Sequence, residues 1–314
     1  DISKNILEKT ALEVKKNIIS TYSSVLLIEE NVLFLKKNKG NLTNNLEEVS
    51  ALFRNGFEEE ESVEQLRLTL SSVETQLRYA QNTKRITLNM LKLLMGFPTE
   101  APLELIDTLD TLTTEGLFEQ EFETDLSLAN NVDIKIATNN LRSESLLYKY
   151  EKSKSLPRLA AFINGNYTGN SQTFSFTDSD QKWFGAALFG LNLQVPLFSS
   201  FKRRAQSQKA KIAVDQAETI LEETQERINI EVQAAINDYE LAVETYFSNK
   251  ENLALATRIE QKNQSKYFEG MASTFELRQA QLQLYSAQNN YISSIQNVIQ
   301  KKLNLETLLN TSDQ

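Results

Sequence analysis

The chain matches itself at a constant shift of 214 residues, and this repeat constrains the fold more than any other feature of the sequence. The shift needs no gap and pairs Gly56 with Gly270 and Gln65 with Gln279. The other identical pairs include Asp1 and Asp215, Ile6 and Ile220, Leu27 and Leu241, Leu70 and Leu284, Ser72 and Ser286, and Leu91 and Leu305. Coiled-coil bias explains matched leucines, but it does not readily place the single glycine of each helix break in register. The sequence therefore predicts an internal duplication.

Each repeat is expected to form a helical hairpin. Apolar residues recur at alternating spacings of three and four along 63–94, with Lys84 as an interruption, and again along 277–308. This is the pattern of a coiled-coil seam. Glycine (9) and proline (4) are scarce, which favours long helices. The predicted helical stretches are 2–52, 63–95, 132–154, and 202–309 with a break near Gly270.

The predicted arms are too long for one compact domain. An arm of 65 residues is about 100 Å long at 1.5 Å per residue, whereas a globular domain of this size is about 40 Å across. Such arms need neighbours to cover their apolar stripes. The sequence thus favours a bundle built from several chains.

Composition excludes many functions. The chain has no cysteine and no histidine, so it lacks the usual thiol nucleophile, the commonest general base and the commonest metal ligands. No carboxylate constellation resembles a catalytic centre, and we expect neither an enzyme nor a cofactor. The net charge of −9 and the missing basic stripe argue against nucleic acid. No apolar run approaches the ~18–20 residues of a membrane helix.

Two short runs in the middle of the chain change the period from 3.6 to 2. Along 159–167, apolar side chains alternate with Asn164 and Asn166, and along 184–195 they alternate with Gly190, Asn192 and Gln194. Barrel strands in a membrane show their apolar face to lipid and their polar face to a lumen, and they need about 9–11 residues to cross. We therefore predict a transmembrane β-hairpin with these asparagine and glutamine side chains facing the lumen. An ordinary two-stranded ribbon packed on a helix fits the alternation equally well.

The residues around these strands carry a family resemblance. Ser155-Leu-Pro-Arg-Leu159, Trp183-Phe-Gly185 and Val195-Pro-Leu-Phe198 resemble the strand boundaries of the TolC-like outer-membrane factor family. That family often has glycine shortly after the phenylalanine, where this chain has serine. Phe53-Arg-Asn-Gly56 and Tyr267-Phe-Glu-Gly270 resemble its aromatic-x-x-Gly breaks at the tips of two helical hairpins. The likeness extends over essentially the whole chain.

The resemblance implies a mostly α-helical homotrimer whose long antiparallel hairpins form an α-barrel tunnel. Each chain would give four strands to a shared twelve-stranded β-barrel in the outer membrane of a Gram-negative bacterium. Such a channel exports cargo passively and works with a periplasmic adaptor (membrane fusion) protein and an inner-membrane transporter. On this frame we expect a first hairpin at 1–98, a connector at 99–131, a helix at 132–156, the transmembrane β-hairpin at 157–200 and a second hairpin at 201–314. The strand pair of the first repeat would precede residue 1.

The same resemblance suggests the tip residues. The gate tyrosine of the family falls on Tyr267, its acidic positions fall on Glu276, Gln279 and Ser62, and its arginine falls on Ala272, so the network is only partly kept. The candidates for adaptor contact are Phe53, Gly56, Phe57, Tyr267, Gly270 and Met271. The run Glu58, Glu59, Glu60 and Glu61 is a candidate ring of negative charge at the entrance, although carboxylates are also favoured at any helix N-terminus.

A second function class fits part of the same pattern. A soluble coiled-coil scaffold with a small β-ribbon would account for the heptads and for the absence of cysteine. It differs from a channel in needing no detergent and in having no lipid-facing strand surface. The exported cargo is not encoded in any of these motifs.

Overall fold

The computed structural model describes residues 2–109, 130–174 and 177–310. The long elements of this part are α1 (Ile2–Arg54), α2 (Glu60–Leu94), α3 (Val132–Ser153), β1 (Arg158–Gly169), β2 (Trp183–Gln194), α4 (Lys202–Phe268) and α5 (Thr274–Leu309). They agree with the predicted helices and strands to within a few residues. The break near Gly270 separates α4 from α5. The mostly helical fold with a small antiparallel sheet is confirmed.

The chain divides into two compact units. One unit combines Asp1–Lys135 with Gln225–Gln314, and it holds the two helical hairpins. The other unit is Ile136–Thr224, and it holds the β-hairpin with the helical segments that flank it. Of the predicted connector 99–131, residues 110–129 lie outside the described part of the chain.

The helices of the first unit pack in the order α2, α1, α5, α4. Ion pairs Lys84–Glu29 (2.7 Å) and Lys39–Glu74 (2.8 Å) join α2 to α1. A hydrogen bond from Asn38 to Gln288 joins α1 to α5. Stacking of Tyr246 on Tyr291 and the ion pair of Lys301 with Asp238 join α5 to α4. Helices α2 and α4 therefore lie at the two sides of this unit.

The heptad seam is the core of the first hairpin. Val63, Leu66, Val73 and Ala80 of α2 are all at most 5% exposed, and they pack with apolar residues of α1. Lys84, which interrupts the seam in the sequence, pairs with Glu29 across the α1–α2 contact. The interruption is thus a polar cross-link rather than a break in the packing.

Both hairpins turn in the same way. Gly56 and Gly270 adopt φ of +77° and +70°, where an L side chain would be strained. Each follows a helix whose last turn is closed by paired backbone hydrogen bonds, Phe57 N to Leu52 O and Met271 N to Lys266 O. This is the Schellman closure of a helix C-terminus. A second left-handed pair, Gly96 (+68°) and Asn310 (+54°), follows α2 and α5 at the same shift of 214 residues.

Helix α1 qualifies the expectation that no segment resembles a membrane helix. One 18-residue window has a mean hydropathy of 1.4 and no more than two charged residues, enough to cross a membrane by length and composition. A third of that window is buried inside the unit. Val25, Leu26 and Leu27 supply much of its hydropathy, and they are at most 3% exposed. Packing within the unit therefore accounts for part of the apolar character of the window.

Candidate functional site

The two hairpin tips contact each other. The Thr274 hydroxyl at the start of α5 donates a hydrogen bond to Glu58 Oε1 in the α1–α2 turn, with an O–O distance of 2.5 Å. Beneath this link, Tyr267 and Leu277 belong to the same apolar core as Val63 of the first hairpin. The tips thus share one core and one polar cross-link.

Tyr267 is the most enclosed of the predicted gate residues. Its side chain is 9% exposed, and within the described residues its hydroxyl has no hydrogen-bond partner of ordinary geometry. Burial raises the pKa of the hydroxyl, Thr274 opposes the rise, and Glu58 and Glu48 add to it. The ring, which was also a candidate for adaptor contact, is therefore a core group in this chain rather than a surface group.

The other gate candidates are not joined to Tyr267. Glu276 forms a capping box at the start of α5, in which its carboxylate accepts hydrogen bonds from the Ser273 amide (2.8 Å) and hydroxyl (3.0 Å). The backbone hydrogen bond, followed by that of the hydroxyl, lowers the pKa of Glu276. Gln279 is exposed and Ser62 is half-buried. Within the described residues, no hydrogen bond or ion pair links the four candidates to one another.

The acidic run at the first tip has two kinds of member. Glu58 is half-buried and faces Thr274, whereas Glu59, Glu60 and Glu61 are exposed. Glu60 and Glu61 lie in the first turn of α2, where carboxylates are favoured by the helix dipole. Glu61 also accepts a hydrogen bond of 2.6 Å from the Gln65 amide. The exposed charge of the tip therefore comes from three carboxylates rather than four.

Apolar side chains stand in solvent at both tips. Phe57 is 78% exposed and Met271 is 66% exposed, whereas Phe53 is 38% exposed. Phe268 and Phe275 flank the second turn and are also exposed, at 50% and 63%. These two were not among the predicted contact residues, although their spacing around Gly270 was an available signal. Together with Gly56 and Gly270, these residues form an open apolar surface, called here the tip surface.

The β-hairpin is bare on both faces. Its two strands have 12 residues each, and nearly every side chain along them is exposed. The register pairs Leu159 with Leu193, Ala161 with Leu191 and Ile163 with Phe189, so these apolar side chains share one face. Leu191 is 63% exposed and Ile163 is 77% exposed. An apolar face of this kind fits lipid, and it does not fit a ribbon packed on a helix.

The opposite face carries all four predicted lumen residues, but it is not uniformly polar. Asn164 and Asn166 lie toward the turn, whereas Asn192 and Gln194 lie near the helical end, paired with Ala160 and Arg158. Between the two polar patches, the Phe162 ring covers Gly190, where an added Cβ would lie 2.5 Å from Phe162 Cζ. This aromatic cover could not be predicted from the sequence because it depends on the strand register.

Residues after β2 adopt an unusual backbone. Ser200 and Phe201 have φ of +48° and +61°, both in the left-handed region that favours glycine. This is the place where the resembled family often has glycine and where this chain has serine. The exposed rings of Phe198 and Phe201 contact edge to face at 6.3 Å, and Trp183 lies at the other end of β2. This spacing of aromatics suits two membrane interfaces.

Long helical hairpins with a shared tip, together with a bare strand pair of membrane-crossing length, define the class of a membrane channel subunit. A family match agrees with this class. The sequence profile of the outer membrane efflux protein family matches residues 124–311, and the chain belongs to that family.

Solved structures show the same fold. The chain is similar to the outer-membrane protein VceC of Vibrio cholerae (16% identity, TM-score 0.76, 95% of this chain and 70% of that one). It is also similar to the outer-membrane channel CmeC of Campylobacter jejuni (18%, 0.76, 98% and 64%). A third is the open state of the MtrE outer-membrane channel of Neisseria gonorrhoeae (17%, 0.77, 98% and 68%). No curated protein sequence matches the chain.

These comparisons confirm the resemblance to TolC-like channels. They also confirm the predicted function, an outer-membrane channel component of a tripartite efflux system, and the location in the outer membrane of Gram-negative bacteria with a large periplasmic part. The soluble scaffold is not favoured. Members of the family are channel proteins rather than enzymes, and they work with adaptor and pump partners.

Proposed function

We propose that three copies of this chain form one export conduit, with the β-hairpins contributing to a shared barrel and the helical hairpins forming a tunnel. The bare β-hairpin carries the proposal. A strand pair that is apolar and exposed on one face cannot lie open in water at low cost, and two strands alone leave open edges that lipid does not tolerate. Further strands supplied by other copies satisfy both requirements.

The internal duplication is part of this proposal. It is supported by the two left-handed pairs, Gly56 with Gly270 and Gly96 with Asn310, because both follow the same shift as the sequence matches. Paired backbone hydrogen bonds at the two tips also follow it. Because each chain contains two copies of one hairpin, the wall of the tunnel would be built from similar units.

The narrow end of the conduit is assigned to the hairpin tips. The gate candidates Tyr267, Glu276, Gln279 and Ser62 lie there, but the polar link between the two tips is Glu58 with Thr274. We assign the closing contact within one subunit to this link. The exposed carboxylates Glu59 and Glu60 stand beside it and favour cations at the mouth.

The tip surface is assigned to the periplasmic adaptor, and the adaptor in turn connects the conduit to an inner-membrane pump. Phe57 and Met271 stand at equivalent positions of the two tips and are 78% and 66% exposed. Exposed apolar side chains surrounded by charge are typical of protein interfaces. Asn164, Asn166, Asn192 and Gln194 are assigned to the lumen of the barrel.

Oligomeric state and conductance test the proposal together. The full-length protein is purified in detergent, sized by light scattering, and added to planar bilayers. Trimers with discrete conductance steps support the conduit. A soluble monomer or dimer without conductance overturns it. Neutralising Glu59 and Glu60 to glutamine should then reduce cation selectivity, with Glu222→Gln and Glu223→Gln on α4 as the matched control.

A further inference from the structure

Each outer helix of the first unit carries an exposed stripe with heptad spacing. On α2 the stripe runs through Leu68, Tyr79, Ile86 and Leu93, which are 73%, 73%, 65% and 64% exposed. On α4 it runs through Ile230, Leu241, Leu255 and Ile259, which are 65%, 62%, 41% and 38% exposed. Apolar stripes at this spacing are the surfaces that helices use to pack on other helices.

Both stripes become charged near the tip, with opposite signs. The α2 stripe continues from Leu68 toward the tip as Glu64 and Glu61. The α4 stripe continues from Ile259 as Lys262 and Lys266, so both stripes follow spacings of three and four over this last stretch toward the tip. All four charged side chains are exposed.

These charges have few partners inside the chain. Within the described residues no ion pair involves Lys262, Lys266, Glu61 or Glu64, and Glu61 is held only by the Gln65 amide. Lys262 and Lys266 line an open groove of about 310 Å³ together with Arg258, Gln261 and Ser265. The basic groove thus stands open at one side of the unit and the acidic turn at the other.

The two charged ends are at the same height. Helix α2 begins at Glu60 and runs away from the tip, whereas α4 runs toward the tip and ends at Phe268. Counted from the tip at 1.5 Å per residue, Glu61 and Glu64 lie level with Lys266 and Lys262, and Leu68 lies level with Ile259. One subunit therefore offers an acidic-to-apolar stripe on one side and a basic-to-apolar stripe in matching register on the other.

We propose that the α4 stripe of one copy packs against the α2 stripe of the next, with Lys262 and Lys266 of each copy pairing with Glu64 and Glu61 of its neighbour. The occupant of the basic groove is thus a second copy of this chain. Contact between two different surfaces of identical subunits is head to tail, and it forms a closed ring when the rotation closes. This inference rests on the homotrimer proposed above and names the surface that holds its tip ends together.

Cysteine cross-linking tests the contact directly, because the chain contains no cysteine of its own. The double variant Glu64→Cys with Lys262→Cys is made in the full-length protein and oxidised in native membranes. Covalent dimers and trimers on a denaturing gel are expected. The control pair, Glu64→Cys with Lys250→Cys, moves the second thiol about 18 Å along α4 and should give none.

Charge reversal gives an independent readout. Lys262→Glu with Lys266→Glu should lower the temperature at which detergent-solubilised trimers dissociate, and added salt should lower it in the unmodified protein. Adding Glu61→Lys and Glu64→Lys to the reversed chain should restore the dissociation temperature. Restoration identifies pairing between the two surfaces rather than damage to either helix.

Two outcomes overturn the inference, and they are distinguishable. Stable trimers that neither cross-link through positions 64 and 262 nor respond to charge reversal overturn the assigned contact and leave the conduit intact. An unmodified protein that is monomeric in both membranes and detergent overturns the proposed conduit itself, and the contact falls with it.

Discussion

The hydroxyl of Thr274 and the carboxylate of Glu58 join the tips of two different hairpins across an O–O distance of 2.5 Å. Thr274 is 9% exposed, so water competes weakly for this contact. A hydrogen bond to a charged acceptor is among the stronger kinds in a protein. The link therefore fixes the relative position of the tips within one subunit.

Removing this hydroxyl should loosen the tips. Thr274→Val keeps the shape of the side chain and removes the donor, at a cost of about 1 kcal/mol, since Glu58 is only half-buried. We expect larger or more frequent conductance steps in planar bilayers. Thr75→Val is the control, because its hydroxyl bonds only within α2, donating to Ser71 O and accepting from Arg78. Equal conductance in both variants would contradict the role given to the link.

The two faces of the β-hairpin should differ in their tolerance of charge. Leu191→Asp places a carboxylate on the apolar face at a cost of about 2 kcal/mol in lipid. We expect a clear loss of assembled protein in outer-membrane fractions. Asn192→Asp, one residue along on the other face, should assemble normally. If both variants assemble equally well, the apolar face does not meet lipid.

Glu260 should make the helical unit less stable at neutral pH. The residue is 4% exposed, and burial raises its pKa, with Lys37 and Gln281 opposing the rise. The folded state therefore binds the proton more tightly than the unfolded state, so the cost is absent below the ordinary glutamate pKa and grows as pH rises through the folded pKa. Tyr285 also faces this carboxylate, which adds to the burial that raises the tyrosine pKa.

Glu260→Gln is expected to increase the free energy of unfolding by about 1 kcal/mol at pH 7. Thermal unfolding followed by far-UV circular dichroism measures this, and the gain should shrink toward pH 4. Glu244→Gln, an exposed change on the same helix, should alter stability little at either pH. A gain for Glu260→Gln that is the same at both pH values would show that ionisation is not its cause.

Glycine at the strained position of the turn after β2 should increase the stability of the protein. Ser200 holds φ of +48°, a conformation that costs an L residue about 1 kcal/mol and costs glycine nothing. Ser200→Gly is therefore expected to stabilise the assembled protein, measured as its resistance to denaturant in detergent. Ser199→Gly lacks this strain and should be neutral or slightly destabilising. If Ser199→Gly is more stable than Ser200→Gly, the strained backbone is not retained in the assembly.

Periodicity was sufficient to predict the helices and strands because each period encodes one kind of surface. Lys84 illustrates the limit of periodicity. In the sequence this lysine interrupts the apolar seam, whereas in the structure it forms an ion pair with Glu29 of the neighbouring helix. The capping role of Glu276 was readable from Ser273-x-x-Glu276, which is a known helix-start pattern. The burial of Tyr267 could not be predicted from the sequence, because it depends on how the two hairpins approach each other.

The strand faces show the same limit. Alternation placed Asn164 and Asn192 on one face correctly, but which residues stand opposite them depends on register. Phe162 covers Gly190 only because the two are directly paired. Alternation within one strand contains no information about that pairing, so the mixed character of this face could not be predicted.

The two tips close with the same main-chain hydrogen bonds although their side chains differ, with Phe57, Glu59 and Ser62 at one and Met271, Ser273 and Glu276 at the other. Only the glycine at each turn is demanded by the backbone. Side chains that make no capping hydrogen bond, such as Phe57 and Met271, are thus free to change without altering how the helices end and begin. A channel built this way can acquire a new partner protein through a few point mutations at its tips, while its folding and assembly remain under separate selection.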